Sequence, residues 1–377
     1  MGFVSLRTAA FRNLADAETD TRGKDIFLVG ENGQGKTNFL EALYYCSYGS
    51  SFRGVRDSEL VRTGEKDCAV QAKLETSGFG PEAGFTWSQV TFQNGKKTIA
   101  LDGKRLEDRK DLLGAAPCIV LCHEDMEFAA GPPERRRWFF DQTRSLSDPV
   151  YLEDLRSYRQ VLKSRNLVLK ENRGFSPGAE FNALLDSLDP QLAGYGLRLM
   201  EKRRAEAEAF SLIFEPLYRE ISGLDGITVR YVSSWKEDTL EGIASELARR
   251  REGDLAFGVS LSGPHRDRYV FVRKGHEFSG KASTGQRRLL ALLLRVAQAR
   301  GFSEKTRKNP VLLLDDVLLE LDGEKRRRFL SIMPEYDQAF YTFLPGEPYQ
   351  RYCKDDTIVY YVEAGTLLRD RGTGQGD

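Results

Sequence analysis

A glycine-rich segment at residues 30–37 carries the clearest chemistry in this sequence. It reads G-E-N-G-Q-G-K-T, it follows the apolar run 25–29, and apolar residues at helical spacing come after it. Glycines let consecutive backbone N–H groups converge on one anion, and a helix N-terminus favours negative charge. The lysine would neutralise the β- and γ-phosphates of a nucleotide, and the threonine hydroxyl would coordinate Mg²⁺. The segment predicts a site for ATP or GTP, formed by Gly30, Glu31, Asn32, Gly33, Gln34, Gly35, Lys36, Thr37 and Asn38.

A second feature is a pair of carboxylates at the end of an apolar run. Residues 311–314 are Val-Leu-Leu-Leu, and Asp315 and Asp316 follow directly. A strand that ends in this way would place Asp315 opposite Thr37 as a second Mg²⁺ ligand, with Asp316 beside an attacking water. A buried strand ending in an ordinary turn has no need of two adjacent like charges. We therefore predict Lys36, Asp315 and Asp316 as the catalytic residues.

A third feature is the segment Ser283-Thr284-Gly285-Gln286 at the start of a helical pattern. Its N–H groups, hydroxyl and amide could bind an anion. The same residues could instead form an ordinary helix cap, with Ser283 or Thr284 as the N-cap. The segment precedes Asp315 by about thirty residues, as it does in ATPases that bind ATP between two subunits.

The N-terminal part of the chain predicts an antiparallel sheet beside the glycine-rich segment. Asn94-Gly95 lies between alternating runs at 86–92 and 96–101, which is a strong hairpin signal. Residues 102–103 are Asp-Gly and indicate a further turn.

Long helical patterns fill residues 133–223, with a turn at 172–178. They predict two antiparallel helices that project from the ATPase body. Pro190 is expected to break or kink the second helix, or to lie in its first turn. Strands are expected again at 255–261 and 269–272, and a helix at 284–300.

Composition restricts the possible functions. Of the 377 residues, 40% are hydrophobic and 30% charged, which is typical of a soluble globular protein. Lys and Arg total 56, as do Asp and Glu, so contacts with nucleic acid would have to come from local basic clusters. The N-terminus has no apolar signal sequence and no run approaches the ~18 apolar residues of a membrane span. We therefore expect a cytoplasmic protein without a membrane partner.

The five cysteines are scattered along the chain. Cys118 and Cys122, followed by His123, resemble half of a metal site, but no second pair of ligands follows at a useful spacing. Buried, reduced cysteines are the prediction.

The order of the motifs resembles the RecF family of bacterial DNA recombination and repair ATPases, which are relatives of the SMC and ABC ATPase heads. The similarity runs nearly from end to end. It is carried by Phe11-Arg12-Asn13, the segment 30–45, Ser51-Phe52-Arg53, Glu134-Arg135-Arg136-Arg137, Gly263-Pro264-His265-Arg266-Asp267 and the segment 312–317.

The resemblance implies an α/β fold, namely a P-loop ATPase head of the ABC/SMC type with an antiparallel β subdomain and an inserted helical arm domain. Residues 1–130 and 254–365 would form the discontinuous head, and 131–253 the arm, or lobe II. Residues 366–377, which are rich in glycine and polar residues, would be a disordered tail.

The resemblance also implies an ATP-dependent homodimer in which each ATP lies between the P-loop of one subunit and the signature segment of the other. Ser283, Gly285 and Gln286 would contact the γ-phosphate of the partner's ATP. Asp322 would lie on the partner side of the interface, and Thr342 near the switch that senses the γ-phosphate. Thr37 and Asp315 would bind Mg²⁺.

By the same resemblance, the ATP-bound dimer would clamp double-stranded DNA and gapped or single-stranded DNA. Slow, DNA-stimulated hydrolysis would then release it. With RecO and RecR, such a protein would promote loading of the RecA recombinase, maintenance of replication forks and induction of the SOS response. Candidate DNA contacts are Arg135, Arg136 and Arg137, although each basic cluster also fits a solvated helix face.

Three positions depart from the family pattern. Thr284 stands where RecF relatives commonly have Gln, and a β-branched residue could crowd a phosphate. His123 stands where the family usually has Pro. Asp316 stands where ABC transporters have Glu, and its shorter side chain fits slow turnover.

Two other classes compete with the repair ATPase. The helical insertion before residue 283 and the presence of Asp316 argue against the nucleotide-binding subunit of a membrane transporter. An ATPase-nuclease would need a further metal site, and the sequence contains no Asp-x-Asp pair for one.

Overall fold

The computed structural model describes residues 2–75, 84–108, 112, 114–175, 178–317 and 323–370. The chain divides into two compact units, Met1–Asp125 with Gln298–Asp377 (unit 1) and Met126–Ala297 (unit 2). Among the described residues, no helix is long and apolar enough to cross a membrane.

Unit 1 contains a mainly parallel six-stranded sheet. Its strands are β3 (Asp25–Val29), β8 (Cys118–Leu121), β12 (Val311–Leu314), β13 (Gln338–Phe343), β14 (Thr357–Glu363) and β15 (Thr366–Arg369). Their order is β15-β14-β3-β13-β12-β8, and only β15 runs antiparallel to its neighbour. Every residue of β3, β8, β12 and β13 is buried, which is typical of parallel strands covered on both faces. The strands predicted at 25–29 and 311–314 are confirmed.

A second sheet in unit 1 is antiparallel. It comprises β1 (Gly2–Ala9), β2 (Ala17–Asp20), β4 (Cys68–Glu75), β5 (Phe85–Gln93), β6 (Lys96–Leu101) and β7 (Lys104–Arg105), in the order β2-β1-β4-β5-β6-β7. The predicted hairpin is confirmed, because β5 and β6 pair across Asn94 (φ 50°) and Gly95 (φ 74°). Positive φ at both central residues matches the twist of the flanking strands.

Helix α1 (Lys36–Tyr48) forms the core between the two sheets. Eleven of its thirteen residues are buried. On one side the Phe39 ring meets Phe340 of β13 at 6.4 Å, and on the other the Ser88 hydroxyl of β5 donates to the carbonyl of Cys46. A helix enclosed on all sides holds its N-terminus in one position, which fixes the start of the phosphate-binding segment.

Unit 2 is largely helical. Its helices are α2 (Met126–Ala130), α3 (Pro133–Ser145), α4 (Pro149–Glu171), α5 (Ala179–Ser222) and α6 (Leu240–Phe257), and its strands are β9 (Ile227–Val232), β10 (Arg268–Arg273) and β11 (His276–Glu277). The strands form an antiparallel sheet in the order β11-β10-β9. Helix α7 (Thr284–Thr306) begins in unit 2 and ends in unit 1, which also contains α8 (Gly323–Ser331).

The pair of long helices is confirmed as α4 and α5, and Pro190 neither breaks the second helix nor lies in its first turn, whereas a kink there stays a prediction. Pro190 lies eleven residues inside α5, which continues past it to Ser222. The Gln191 side chain donates to the Ser187 carbonyl, next to the position where proline provides no N–H. Packing against α4 holds the helix together despite the lost hydrogen bond.

The strand predicted at 255–261 is also wrong. Residues 255–257 are the last turn of α6, which ends at Gly258 in a left-handed conformation (φ 70°). A short apolar run does not distinguish a buried strand from the end of a buried helix. The other two predictions in this region, 269–272 and 284–300, are confirmed by β10 and α7.

The observed units differ from the predicted domains in three places, the first being residues 126–130, which were predicted in the head and belong to unit 2. Residues 254–297 belong to unit 2, whereas the prediction gave this stretch to the head. Thr366–Arg369 form β15, so this part of the predicted tail is an ordered strand, because its backbone pairs with β14. Residues 371–377 lie outside the described part of the chain.

The cysteine prediction is largely confirmed. All five are free thiols, and Cys46, Cys68, Cys118 and Cys122 are buried, while Cys353 is exposed. Burial raises the pKa of the Cys68 thiol to about 11, which keeps it protonated and unreactive.

A buried ion-pair network joins the helices of unit 2. Arg165 of α4 has no exposed surface and donates to Asp189 of α5 (2.8 Å), Asp254 of α6 (2.7 Å) and Ser260 (2.8 Å). Removing one partner from such a network leaves the opposite charges buried without compensation.

We therefore expect Arg165→Ala to lower the free energy of unfolding by about 3–5 kcal/mol. Arg328→Ala is the matched control, because Arg328 pairs with Glu324 one helical turn away and both side chains are exposed, and its loss should cost less than about 1 kcal/mol. Urea denaturation followed by circular dichroism measures both. Equal stability losses in the two variants would contradict the assigned role of the network.

Candidate functional site

The segment 30–35 turns from β3 into α1, and its glycines have specific steric roles. Gly33 and Gly35 have φ values of 79° and 117°, in the left-handed region that favours glycine. At Gly30, a Cβ atom would lie 2.4 Å from the carbonyl oxygen of Val362 in β14. The loop can follow this path only with glycine at these positions.

Lys36 is folded back over the loop. Its Nζ donates to the carbonyl oxygens of Gly30 (2.6 Å) and Glu31 (3.1 Å), and the residue is buried. The loop borders a cavity of about 130 Å³, lined by Glu31, Asn32, Gly33, Gly35, Lys36, Thr37, Asn38, Arg53 and Asp316. Seven of the nine predicted nucleotide-binding residues therefore line one concave site at a helix N-terminus, and Gly30 and Gln34 do not line it.

Thr37 and Asp315 meet at the carboxyl end of the parallel sheet. The Thr37 hydroxyl donates to Asp315 Oδ1 at 2.8 Å. Burial raises the pKa of Asp315 to about 6; the hydrogen bond from Thr37 opposes that rise, and the charge of Asp316 adds to it. A hydroxyl and a carboxylate in contact are a fitting pair of protein ligands for Mg²⁺, which takes one or two carboxylates and completes its shell with phosphate and water oxygens.

Asp316 and Thr342 form a second contact. The Asp316 N–H donates to Thr342 Oγ1 (2.8 Å), and the Thr342 hydroxyl donates to Asp316 Oδ1 (2.8 Å). Asp316 has φ 54°, an unfavourable conformation for a residue with a side chain, and such strain is concentrated at functional sites. The structure thus brings the predicted water-polarising residue and the predicted switch residue into direct contact.

Two residues at the cavity have no predicted role. Asn13 Nδ2 donates to the Gly33 carbonyl (3.0 Å), and its Oδ1 accepts from Asn38 (2.8 Å). Arg53 donates to Asn38 Oδ1 (3.1 Å) and lies 3.6 Å from the buried carboxylate of Glu41. Both belong to short segments on which the family resemblance rests, and that resemblance is the one sequence feature that could have pointed to a role for them. Their sequence distance from the glycine-rich segment concealed the contact.

The Ser283–Gln286 segment forms a capping box at the start of α7. The Ser283 N–H donates to Gln286 Oε1 (2.9 Å), and the Gln286 N–H donates to Ser283 Oγ (3.3 Å). Ser283, Thr284 and Gly285 are exposed, and nothing lies within 4 Å of a Cβ built at Gly285. The helix-cap interpretation is confirmed, and the contact with a partner's ATP stays a prediction. Asp322 lies outside the described residues.

The predicted DNA contacts at Arg135–Arg137 have intramolecular partners. Arg136 is buried and directed at the carbonyl of Ala129, and burial lowers its pKa. Arg137 donates to the Asp267 carbonyl (2.7 Å), and Arg135 pairs with Glu127. Arg136 is therefore held within unit 2, whereas Arg135 and Arg137 are partly exposed, and their contact with DNA stays a prediction.

Comparison with known proteins gives the family. The family model described as RecF/RecN/SMC N terminal domain matches residues 3–349. A DNA replication and repair protein RecF of Treponema pallidum is 44% identical over 356 residues, covering 94% of this chain and 97% of the relative. The RecF of Moorella thermoacetica is 32% identical over 93% of both chains. The chain belongs to the RecF family.

Solved structures confirm the fold of the RecF family for this chain. The recombination mediator protein RecF in its ATP form, described as part of the RecFOR pathway, matches with a TM-score of 0.86 and 28% identity, covering 98% of this chain and 97% of that one. An Smc head domain of Pyrococcus furiosus shares the fold alone, with a TM-score of 0.56 at 17% identity. The predicted ABC/SMC-type head is confirmed.

The raised pKa of Asp315 predicts a specific pH dependence of stability without nucleotide. The folded protein holds the Asp315 proton more tightly than the unfolded chain, so the free energy of unfolding falls as pH rises from about 4 to about 6. Asp315→Asn removes the titrating carboxyl group and with it this loss of stability. The variant should therefore exceed the wild type in stability above pH 6, by on the order of 1–3 kcal/mol, and match it near pH 4.

Thermal unfolding of the nucleotide-free proteins between pH 4 and pH 8 measures the difference. Asp355→Asn, at an exposed acid, is the matched control and should leave the profile of the wild type unchanged. A constant offset between Asp315→Asn and the wild type at all pH values would contradict the assignment.

Proposed function

We propose that this protein is an ATP-dependent DNA-binding protein of recombinational repair whose subunits dimerise when ATP binds. The contact between the Thr37 hydroxyl and the Asp315 carboxylate carries this proposal, because it joins the phosphate loop to the acidic end of β12. The RecF relatives support it, since one is described with ATP and the curated members are described as DNA replication and repair proteins.

Each protein group in the nucleotide site has a defined task. The N–H groups of residues 31–36 and the N-terminus of α1 bind the phosphates. Lys36 Nζ, which lies over the loop, neutralises the charge of the β- and γ-phosphates. Thr37 and Asp315 hold Mg²⁺, which supplies charge neutralisation at the phosphates. Because Asp315 is buried and its pKa is raised, a bound cation also relieves the cost of its ionised form.

The start of α7 contacts the ATP of a second subunit. Ser283, Gly285 and Gln286 present a hydroxyl, an unobstructed backbone and an amide at a helix N-terminus that favours anions. Asp322 belongs to the same interface, and Thr342 senses the γ-phosphate through Asp316. In this arrangement neither subunit has a complete site, so ATP stabilises the homodimer.

Hydrolysis is slow and acts as a release step. The Asp316 carboxylate is short and already accepts a hydrogen bond from Thr342, which weakens its ability to polarise water. A long-lived ATP state keeps the dimer on double-stranded, gapped or single-stranded DNA. With RecO and RecR, the bound dimer then promotes RecA loading, fork maintenance and SOS induction in the cytoplasm.

The DNA contacts involve phosphates and come from residues other than Arg136. That side chain is buried, and the chain as a whole has no net charge. Binding through local basic clusters to the DNA backbone would weaken steeply as salt increases.

Ser283→Arg tests the contact between subunits. The arginine side chain should block the approach of a partner's phosphates while leaving ATP binding by the monomer within about twofold of wild type. Light scattering with and without ATP should show loss of the ATP-induced dimer. Ser283→Ala is the comparison, because it removes the hydroxyl and its cap bond to Gln286 without adding bulk, and it should weaken the ATP-induced dimer less than Ser283→Arg does. Loss of ATP binding itself would mean that the segment acts within its own subunit.

Asp316→Asn tests the release step. The amide cannot polarise water as a carboxylate does, so the variant should bind ATP, dimerise and dissociate from gapped DNA at least about tenfold more slowly. Dissociation from immobilised gapped DNA in the presence of ATP measures the lifetime, and the same variant without nucleotide provides the baseline. Faster dissociation than wild type would argue against the role of Asp316.

A further inference from the structure

The turn between β14 and β15, residues 363–366, contacts the phosphate-binding loop directly. The Ala364 N–H donates to Gln34 Oε1 at 2.6 Å, and the Gly365 N–H donates to the Gln34 carbonyl at 2.8 Å. The side chain of Gln34 is therefore directed at this turn, which we call the terminal turn, and not at the cavity that the other loop residues line.

The terminal turn fits closely against its surroundings. Gly365 has φ 80°, and a Cβ atom there would lie 1.8 Å from the carbonyl oxygen of Asn13. The Gly365 carbonyl accepts the N–H of Ala15 at 2.9 Å. These contacts are between backbone atoms, so no side chain can move to make room. The terminal turn therefore has a single position relative to residues 13–15.

Asn13, which lies next to the terminal turn, also contacts the loop. That side chain donates to the Gly33 carbonyl and accepts from Asn38 in the first turn of α1. Gly33 is thus contacted from outside the loop by Asn13, and Gln34 by Ala364 and Gly365. Gly30 lies against Val362 and donates its N–H to the Phe343 carbonyl at 3.1 Å. The two hydrogen bonds between Gln34 and the terminal turn join residues more than 300 positions apart in sequence.

We propose that the terminal turn positions the phosphate-binding loop for nucleotide through Gln34, whose side chain holds the loop in place and does not itself contact the phosphates. This inference rests on the proposed nucleotide binding. A glycine-rich loop loses conformational freedom when its N–H groups converge on phosphate, and a loop already held in place loses less. The brace formed by Gln34 and the terminal turn therefore raises nucleotide affinity without touching the nucleotide.

Gln34→Met tests the brace, because methionine has a similar length and cannot accept the Ala364 N–H. The dissociation constant for a fluorescent ATP analogue should rise roughly three- to tenfold, which is the effect of one exposed hydrogen bond. The melting temperature of the nucleotide-free protein should change by less than about 2 °C, because the bond is at the surface. A structural role alone would lower the melting temperature and leave affinity unchanged.

Gly365→Ala displaces the terminal turn through the clash with Asn13 and should weaken nucleotide binding by more than about tenfold. Gly95→Ala is the matched control, since Gly95 also has positive φ (74°) but open space around its Cβ, and it should leave affinity unchanged. If Gly365→Ala does not fold, Gln34→Met decides the question alone.

The double variant shows whether the two changes act through one contact. If they do, adding Gln34→Met to Gly365→Ala should change the dissociation constant by less than about twofold. Multiplying effects, or a wild-type affinity in Gln34→Met, would overturn the proposal. Lys36→Met separates this failure from that of the proposed function, because unchanged affinity in Lys36→Met would mean that the nucleotide does not bind at this loop.

Discussion

The hydrogen bond between the Thr37 hydroxyl and the Asp315 carboxylate is the contact on which the functional interpretation depends. It requires β3, β13 and β12 to end at the same level, so that the first turn of α1 reaches across β13. The register of the sheet provides this, and α1 is enclosed between two sheets and has little freedom to move. Ionising a buried acid whose pKa is raised to about 6 is costly without a cation, and the proposed metal-bound nucleotide would reduce this cost.

The same sheet edge brings the remaining site residues together. Thr342 at the end of β13 holds Asp316, and Arg53 and Asn13 contact the first turn of α1 through Asn38. At this same edge, on the side of β3 away from β13, the turn after β14 contacts the loop. The phosphate-binding loop and its contacts therefore lie within unit 1, whereas Ser283, Thr284 and Gly285 at the start of α7 are exposed.

Sequence reasoning found the parts of this site that have local patterns. The glycines of residues 30–35, the apolar strand before Asp315 and the Asn94-Gly95 hairpin each depend on neighbouring residues, and each is confirmed. The contacts of the terminal turn and of Asn13 with the loop could not be predicted in this way. They join residues 20 positions apart (Asn13 and Gly33) and 330 positions apart (Gln34 and Ala364), and such contacts produce no periodic pattern in the sequence. Residues 255–257 were misassigned because a buried helix end and a buried strand have the same apolar composition.

The central claim is that ATP is shared between two copies of the chain, and a mixing experiment tests it most directly. Lys36→Met lacks the phosphate contact and Ser283→Arg lacks an accessible signature segment, so neither variant should dimerise alone with ATP. A mixed dimer has one site with both parts intact, formed by the Ser283→Arg subunit's loop and the Lys36→Met subunit's α7. Light scattering of the equimolar mixture with ATP should therefore show a species of twice the monomer mass. A mixture that stays monomeric would contradict the shared site.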